Sequence, residues 1–221
     1  MISKLDNCLF VHIPKVAGQS IESVFLTRAG LQWSQREAFL LKPNTNPEFG
    51  PPRLAHLMAK EYVELGYVTE QTFSQLYRFS FVRNPWQRIL SEYLYRGYSC
   101  SFKQFLLKQF PKPNSDNYTT GEDLYRHVMP QAEFVCDGQG RLLVDFVGRF
   151  ENIAADFASV SKVITGVELV LPHKNKTKSN FLDLLKQKPR HYTEYYCNKT
   201  QKFVENYYAQ DIELFDYQFG S

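Results

Sequence analysis

The chain has 221 residues, 43% of them hydrophobic, with 26 basic against 23 acidic side chains and a formal charge of +3. That length suits one domain with a sizeable core. So small a charge makes no electrostatic case for nucleic acid, and no apolar run reaches the ~20 residues of a membrane span.

Residues 8–13 are an almost unbroken apolar run, the pattern of a strand buried on both faces. The run ends at Pro14-Lys15, passes the small residues Ala17 and Gly18, and reaches Ser20 at the head of an amphipathic segment. A helix is expected over 19–29, with Ile21, Val24, Phe25 and Leu26 inward. A strand–loop–helix corner of this kind aims several N–H groups at one spot, at the positive end of a helix dipole, and Lys15 adds a full charge. Such a corner holds phosphate or sulfate. Its spacing differs from the common nucleotide-triphosphate loop, where Lys follows the last Gly and a hydroxyl follows Lys for magnesium. Here Lys15 comes three residues before Gly18, and Gln19 separates Gly18 from Ser20.

Residues 31–54 carry Pro43, Asn44, Pro47, Gly50, Pro51 and Pro52 and read as a long loop of the kind that carries function. Two short helices are expected over 57–66, closed by Gly66, and 69–76, opened by Thr69. A second core strand over 77–83 runs into a helix over 85–97, which Gly97 ends. Pro85 suits the first helical turn because it has no N–H to leave unpaired. Arg83 at the strand end and Ser91 two turns along the helix form a second anion site, a fork of guanidinium donors plus one hydroxyl. Trp86 reads as packing that helix against the sheet. An amphipathic helix over 101–109 precedes a Pro-broken loop over 111–120, which is expected to line an acceptor cleft. Asp137-Gly138-Gln139-Gly140 signals a turn between extended pieces at 132–136 and 142–147. Helix follows at 151–164, then a basic cluster at 173–178, then a helical tail from 191 whose tyrosines read as packing. Cys8, Cys100, Cys136 and Cys197 are widely spaced and form no CxxC pair, so no zinc or redox motif is indicated. Strand–helix alternation gives an α/β fold with a mainly parallel sheet, in which ligands sit beyond the carboxyl ends of the strands.

Pro14-Lys15-x-x-Gly18-x-Ser20 resembles the 5′-phosphosulfate loop of the membrane-type carbohydrate sulfotransferases, family 2. Phe81-Val82-Arg83-Asn84-Pro85-Trp86-x-Arg88-x-x-Ser91-x-Tyr93 resembles their 3′-phosphate element. Pro130-Gln131-x-x-Phe134, Val144 to Asn152, Leu171 to Thr177 and the terminal Asp211-Ile212-x-x-Phe215-x-Tyr217 follow in that family's order. The resemblance therefore covers most of the chain. It implies a P-loop-like three-layer fold, a central mainly parallel sheet flanked by helices, over a single sulfotransferase domain at 1–221.

It also implies the donor, 3′-phosphoadenosine 5′-phosphosulfate (PAPS), and the product 3′-phosphoadenosine 5′-phosphate (PAP). Lys15 and the main chain of Ala17, Gly18, Gln19, Ser20 and Ile21 would hold the 5′ end, with Lys15 stabilising the departing phosphate. Arg83 and Ser91 would hold the 3′-phosphate. Arg149, with Phe150 and Glu151, would border the adenine, and Lys174, Asn175 and Lys176 would close over the nucleotide. No metal is expected. An ATP site would need one, and no acidic pair after a strand is placed to hold it. In related glycan sulfotransferases a histidine or glutamate near the Pro-rich loop is the base that takes the acceptor proton. His56 is the candidate, with His127 and Glu22 as alternatives. His12 reads as a packed residue behind the site, and His173 as part of the basic loop.

The loop departs from the usual Thr-Gly-Gly-Thr, since Val16-Ala17-Gly18-Gln19 offers fewer hydroxyls and one glycine fewer. Little chain lies between 98 and 130 to build a long glycan cleft, which favours a small, terminal or lipid-linked sugar. The acceptor is expected to be a carbohydrate or other hydroxyl-bearing molecule, with no nucleic-acid partner. Golgi relatives carry a stem and anchor upstream. The short lead from Met1 to the first strand gives the expectation of a soluble, cytoplasmic, bacterial enzyme. Alternative readings are a P-loop phosphotransferase using ATP and a non-catalytic nucleotide- or glycan-binding protein.

Overall fold

The computed structural model describes residues 1–172 and 190–221. Four strands, β1 (Ile2–Ser3), β2 (Cys8–Val11), β3 (Tyr77–Val82) and β4 (Phe146–Arg149), form one sheet in that order. β1 pairs antiparallel with β2, and β2, β3 and β4 run parallel. Val11 lies opposite Ser80, and Val82 opposite Arg149. The carboxyl ends of the three parallel strands thus point the same way, the end of such a sheet at which ligands sit in α/β folds. The protein is a mixed α/β fold whose mostly parallel central sheet is flanked by helices, consistent with the expected P-loop-like class.

The described residues divide into two compact units. The first, Met1–Arg83 with Pro111–Pro172, contains the sheet. All four residues of β2 are fully buried, as an apolar strand covered on both faces must be. Phe25 of the helix Gly18–Arg28 packs 5.8 Å from Phe79 of β3 and 6.4 Å from Phe157 of the helix Ile153–Thr165. Gly148 in β4 is required by packing, because a Cβ there would come within 2.4 Å of the Phe81 ring.

The second unit comprises residues 84–110 and 190–221 of those described. Its helix Pro85–Arg96 is opened by Asn84, whose side chain accepts from the N–H groups of Trp86 and Gln87, and is closed by Gly97 at φ 65°. Ser101 and Gln104 form a capping box on the helix Phe102–Lys108. Phe110 meets Phe203 at 5.1 Å and Tyr207 at 5.0 Å, Trp86 meets Phe219 at 5.6 Å, and Tyr208 is fully buried. Tyr192 and Tyr208 of the aromatic tail are packed as its spacing suggested, while Tyr195 is exposed.

One expectation fails. Residues 132–136 are not a strand but lie largely in the helix Gln131–Val135. Gln131, Ala132, Phe134 and Val135 are all buried, a helical pairing of positions and not an alternation. The turn signal itself is real: Asp137 Oδ1 accepts from the N–H groups of Gln139 and Arg141 at 2.8 and 3.0 Å. It joins that helix to an extended piece through the single bridge Cys136–Leu142, and the ladder begins only at Phe146. The helix expected over 57–66 is also shorter, Glu61–Glu64, because Leu57 stays extended and the Glu61 carboxylate takes the Met58 N–H at 2.7 Å.

Candidate active site

The loop after β2 turns sharply at two non-glycine residues in the left-handed region, Lys15 at φ 73° and Ala17 at φ 63°. Side chains disfavour this region, and such strain concentrates at functional sites. Turns of this kind gather successive N–H groups into a concavity suited to an anion. The helix Gly18–Arg28 that follows has no side-chain cap and no acidic residue in its first turn. Its positive end is therefore not neutralised by its own residues. Gly18 permits the loop's closest packing: a Cβ there would fall 2.0 Å from His12 Nε2.

Arg83 is the first residue past β3, and its Nη1 donates to the Lys15 carbonyl at 3.3 Å. The guanidinium carbon lies 4.1 Å from the centre of the Phe150 ring, just past β4. Gln131 fixes the arginine's main chain, donating to its carbonyl and accepting from its N–H, both at 2.8 Å. The Arg83 guanidinium and the Lys15 main chain, which the resemblance assigns to opposite ends of one nucleotide, thus meet at the carboxyl end of the sheet.

Beside the loop lies a buried chain of histidines and carboxylates. His12 Nδ1 donates to Glu22 Oε1 at 2.6 Å. The His12 carbonyl accepts from His56 Nδ1 at 3.0 Å, so the neutral His56 ring carries its lone pair on Nε2. That nitrogen faces Asp123 Oδ2 at 3.8 Å, and His127 Nε2 approaches the same oxygen at 3.3 Å. Arg53 Nε lies 3.8 Å from the other oxygen of Asp123. Burial first, then the neighbouring His12, hold the His56 imidazole well below its usual pKa, while Asp123 pulls the other way. Burial alone would raise the Asp123 carboxyl. The hydrogen bond from His127 and the charges of His127, His56 and Arg53 outweigh burial and hold it well below the ordinary carboxylate range. The three facing atoms of His56, Asp123 and His127 lie within 4.8 Å of one another. Two imidazoles and a carboxylate in such proximity are also a donor set that could hold a metal ion.

The remaining expected residues are distributed as follows. Gln19 is exposed and Ser20 buried at the helix start, while the Ile21 side chain belongs to the core, leaving only its main chain for a ligand. Glu22 is buried against His12. Arg149 ends β4 exposed, its N–H donating to Asp156 at 2.6 Å. Ser91 is half-buried on the helix Pro85–Arg96 of the second unit. Lys174, Asn175 and Lys176, with His173, lie outside the described residues. Sequence reasoning missed Asp123, the grip of Gln131 on Arg83, and the His12–Glu22 pair. The one available signal for Asp123 was its i,i+4 spacing to His127.

The Sulfotransferase family profile matches residues 1–218. Over 104 residues the chain is 30% identical to an uncharacterized protein of Archaeoglobus fulgidus, covering 44% of this chain and 74% of that one. No solved structure matches.

Proposed function

The chain belongs to the sulfotransferase family, and from that premise we propose that it moves a sulfuryl group from PAPS to a hydroxyl of a carbohydrate acceptor. The supporting observation is the meeting of two cationic loops, where the Arg83 guanidinium reaches the Lys15 carbonyl at 3.3 Å beside an uncapped helix start. A nucleotide with a phosphosulfate at one end and a phosphate at the other suits two such cradles. The sulfotransferase domain spans 1–221.

The acceptor oxygen attacks sulfur in line as the bond from sulfur to the 5′-phosphate oxygen breaks. His56 Nε2 takes the acceptor proton. Its depressed pKa keeps the ring neutral at pH 7 and ready for that proton, and the imidazolium so formed faces the Asp123 carboxylate. Lys15 and the N–H groups of Ala17 to Ile21 neutralise the charge that gathers on the leaving phosphate. Arg83, its guanidinium carbon 4.1 Å from the centre of the Phe150 ring, takes the 3′-phosphate. The assignments of Ser91 to that phosphate, of Arg149 to the adenine side, and of Lys174, Asn175 and Lys176 to closure rest on the sequence pattern. His127 and Glu22 are weaker choices for the base, because the acceptor-side atom of each is held more closely, His127 Nε2 at 3.3 Å from Asp123 and Glu22 Oε1 by the His12 ring at 2.6 Å.

Calorimetric titration with PAP and with ATP, both without metal, tests the donor. PAP should bind and ATP should bind more weakly. Transfer of labelled sulfate from PAPS across a panel of sugars then tests the reaction. Magnesium-dependent ATP turnover with no PAP binding would overturn the reading in favour of a phosphotransferase.

A further inference from the structure

We propose that His12, held by Glu22, is a positioning residue that ties the anion loop to the base. This rests on the sulfotransferase reading. His12 makes three attachments. Its carbonyl accepts from His56 Nδ1 at 3.0 Å, which fixes the tautomer that leaves Nε2 as the proton acceptor. Its ring donates from Nδ1 to Glu22 Oε1 at 2.6 Å, anchoring it to the helix behind the loop. Its ring also fills the space under Gly18, where even a methyl group would come within 2.0 Å of Nε2. The ring lies against Gly18 on one side and edge-on to the His56 ring at 4.6 Å on the other, so a shift of His12 is felt by both the loop main chain and the base.

Stability alone does not explain the pair. His12 and Glu22 are both buried, and taking two ionisable groups out of water is costly enough that an apolar pair of the same size is often as stable or more so. Rigid spacing does explain it. In-line transfer requires the base, the acceptor oxygen and the sulfur to be held together, and a misplacement of about 1 Å costs on the order of a hundredfold in rate. A residue packed against the donor cradle and bonded to the base sets that distance.

Glu22→Gln keeps shape and removes the charge. The expected result is a kcat lowered roughly tenfold to a hundredfold with acceptor KM within about twofold, together with shifted 15N signals of the His56 ring. Gly18→Ala should weaken PAP binding on the order of tenfold, and adding His12→Ala should restore part of that loss, because the imidazole no longer occupies the space. The proposal is overturned if Glu22→Gln retains wild-type kcat and His56 signals, or if the Gly18→Ala and His12→Ala effects simply add. If Glu22→Gln does not fold, the Gly18–His12 cycle decides alone. If wild-type protein neither binds PAP nor transfers sulfate, the donor reading fails, while the His56 signals of Glu22→Gln still decide the coupling.

Discussion

Gln131 offers the sharpest test of how the arginine site is built. Arg83 stands one residue beyond the last ladder pair of β3, Val82 with Arg149, and Gln131 takes over its main chain with two bonds of 2.8 Å. The side chain is fully buried, so water does not replace those bonds. Gln131→Leu keeps the volume and removes both partners. Two buried hydrogen bonds at ~1 kcal/mol net each, with some added cost for groups left poorly paired, give an expected destabilisation of about 2–4 kcal/mol. Urea unfolding at pH 7 measures it. Because the arginine loses its register over Phe150, PAP affinity of the folded protein should fall in parallel. A loss of less than ~0.5 kcal/mol with unchanged PAP affinity would refute the claim that Gln131 sets the arginine.

Lys15→Ala should cut transfer by about 10²-fold or more, as expected for loss of a charge that stabilises a leaving group. Arg83→Ala should chiefly weaken PAP binding, and Arg83→Lys should not rescue it, since an ammonium lacks the guanidinium's fixed fork of donors. Burial holds His56 below its unfolded pKa, so the unfolded chain takes up that proton first, and stability should fall as pH drops below about 6.5. A second loss should begin below about pH 3.9, where the unfolded chain protonates Asp123 while the fold still holds it ionised. Urea midpoints across pH should show both steps, and His56→Gln should remove the first. Alkylation should find Cys197 first. The Thr200 N–H and then its hydroxyl bring this exposed thiol down to about 7, whereas burial pushes the Cys8 thiol up to about 12. Mass spectrometry after brief iodoacetamide treatment at pH 7 reads the order.

The parts of the candidate site that are local in the chain were legible as text. Lys15, Gly18 and Arg83 each sit where a strand ends, and strand ends can be read from apolar runs closed by Pro or Arg. What joins them was not legible. The Asp123 carboxylate reaches His56 across the fold, and a contact between residues so far apart leaves no periodic trace. Gln131 looked like part of a motif without a task, because its partner is a main-chain amide and carbonyl 48 positions earlier, which any residue type would present. The failure at 132–136 came from trusting a turn signal to specify what flanks it. The turn formed, but burial on paired positions made the preceding piece a helix.

The two helix starts differ in what they leave for the solvent. Pro85–Arg96 is finished by its own asparagine, while Gly18–Arg28 is left open. The resistance of the protein to heat then becomes a property of the buffer as well as of the chain. Sulfate or phosphate at ten times its dissociation constant would add about 1.4 kcal/mol. Material salted out with ammonium sulfate would therefore melt later than dialysed material, and would understate its grip on any nucleotide until the salt is washed away.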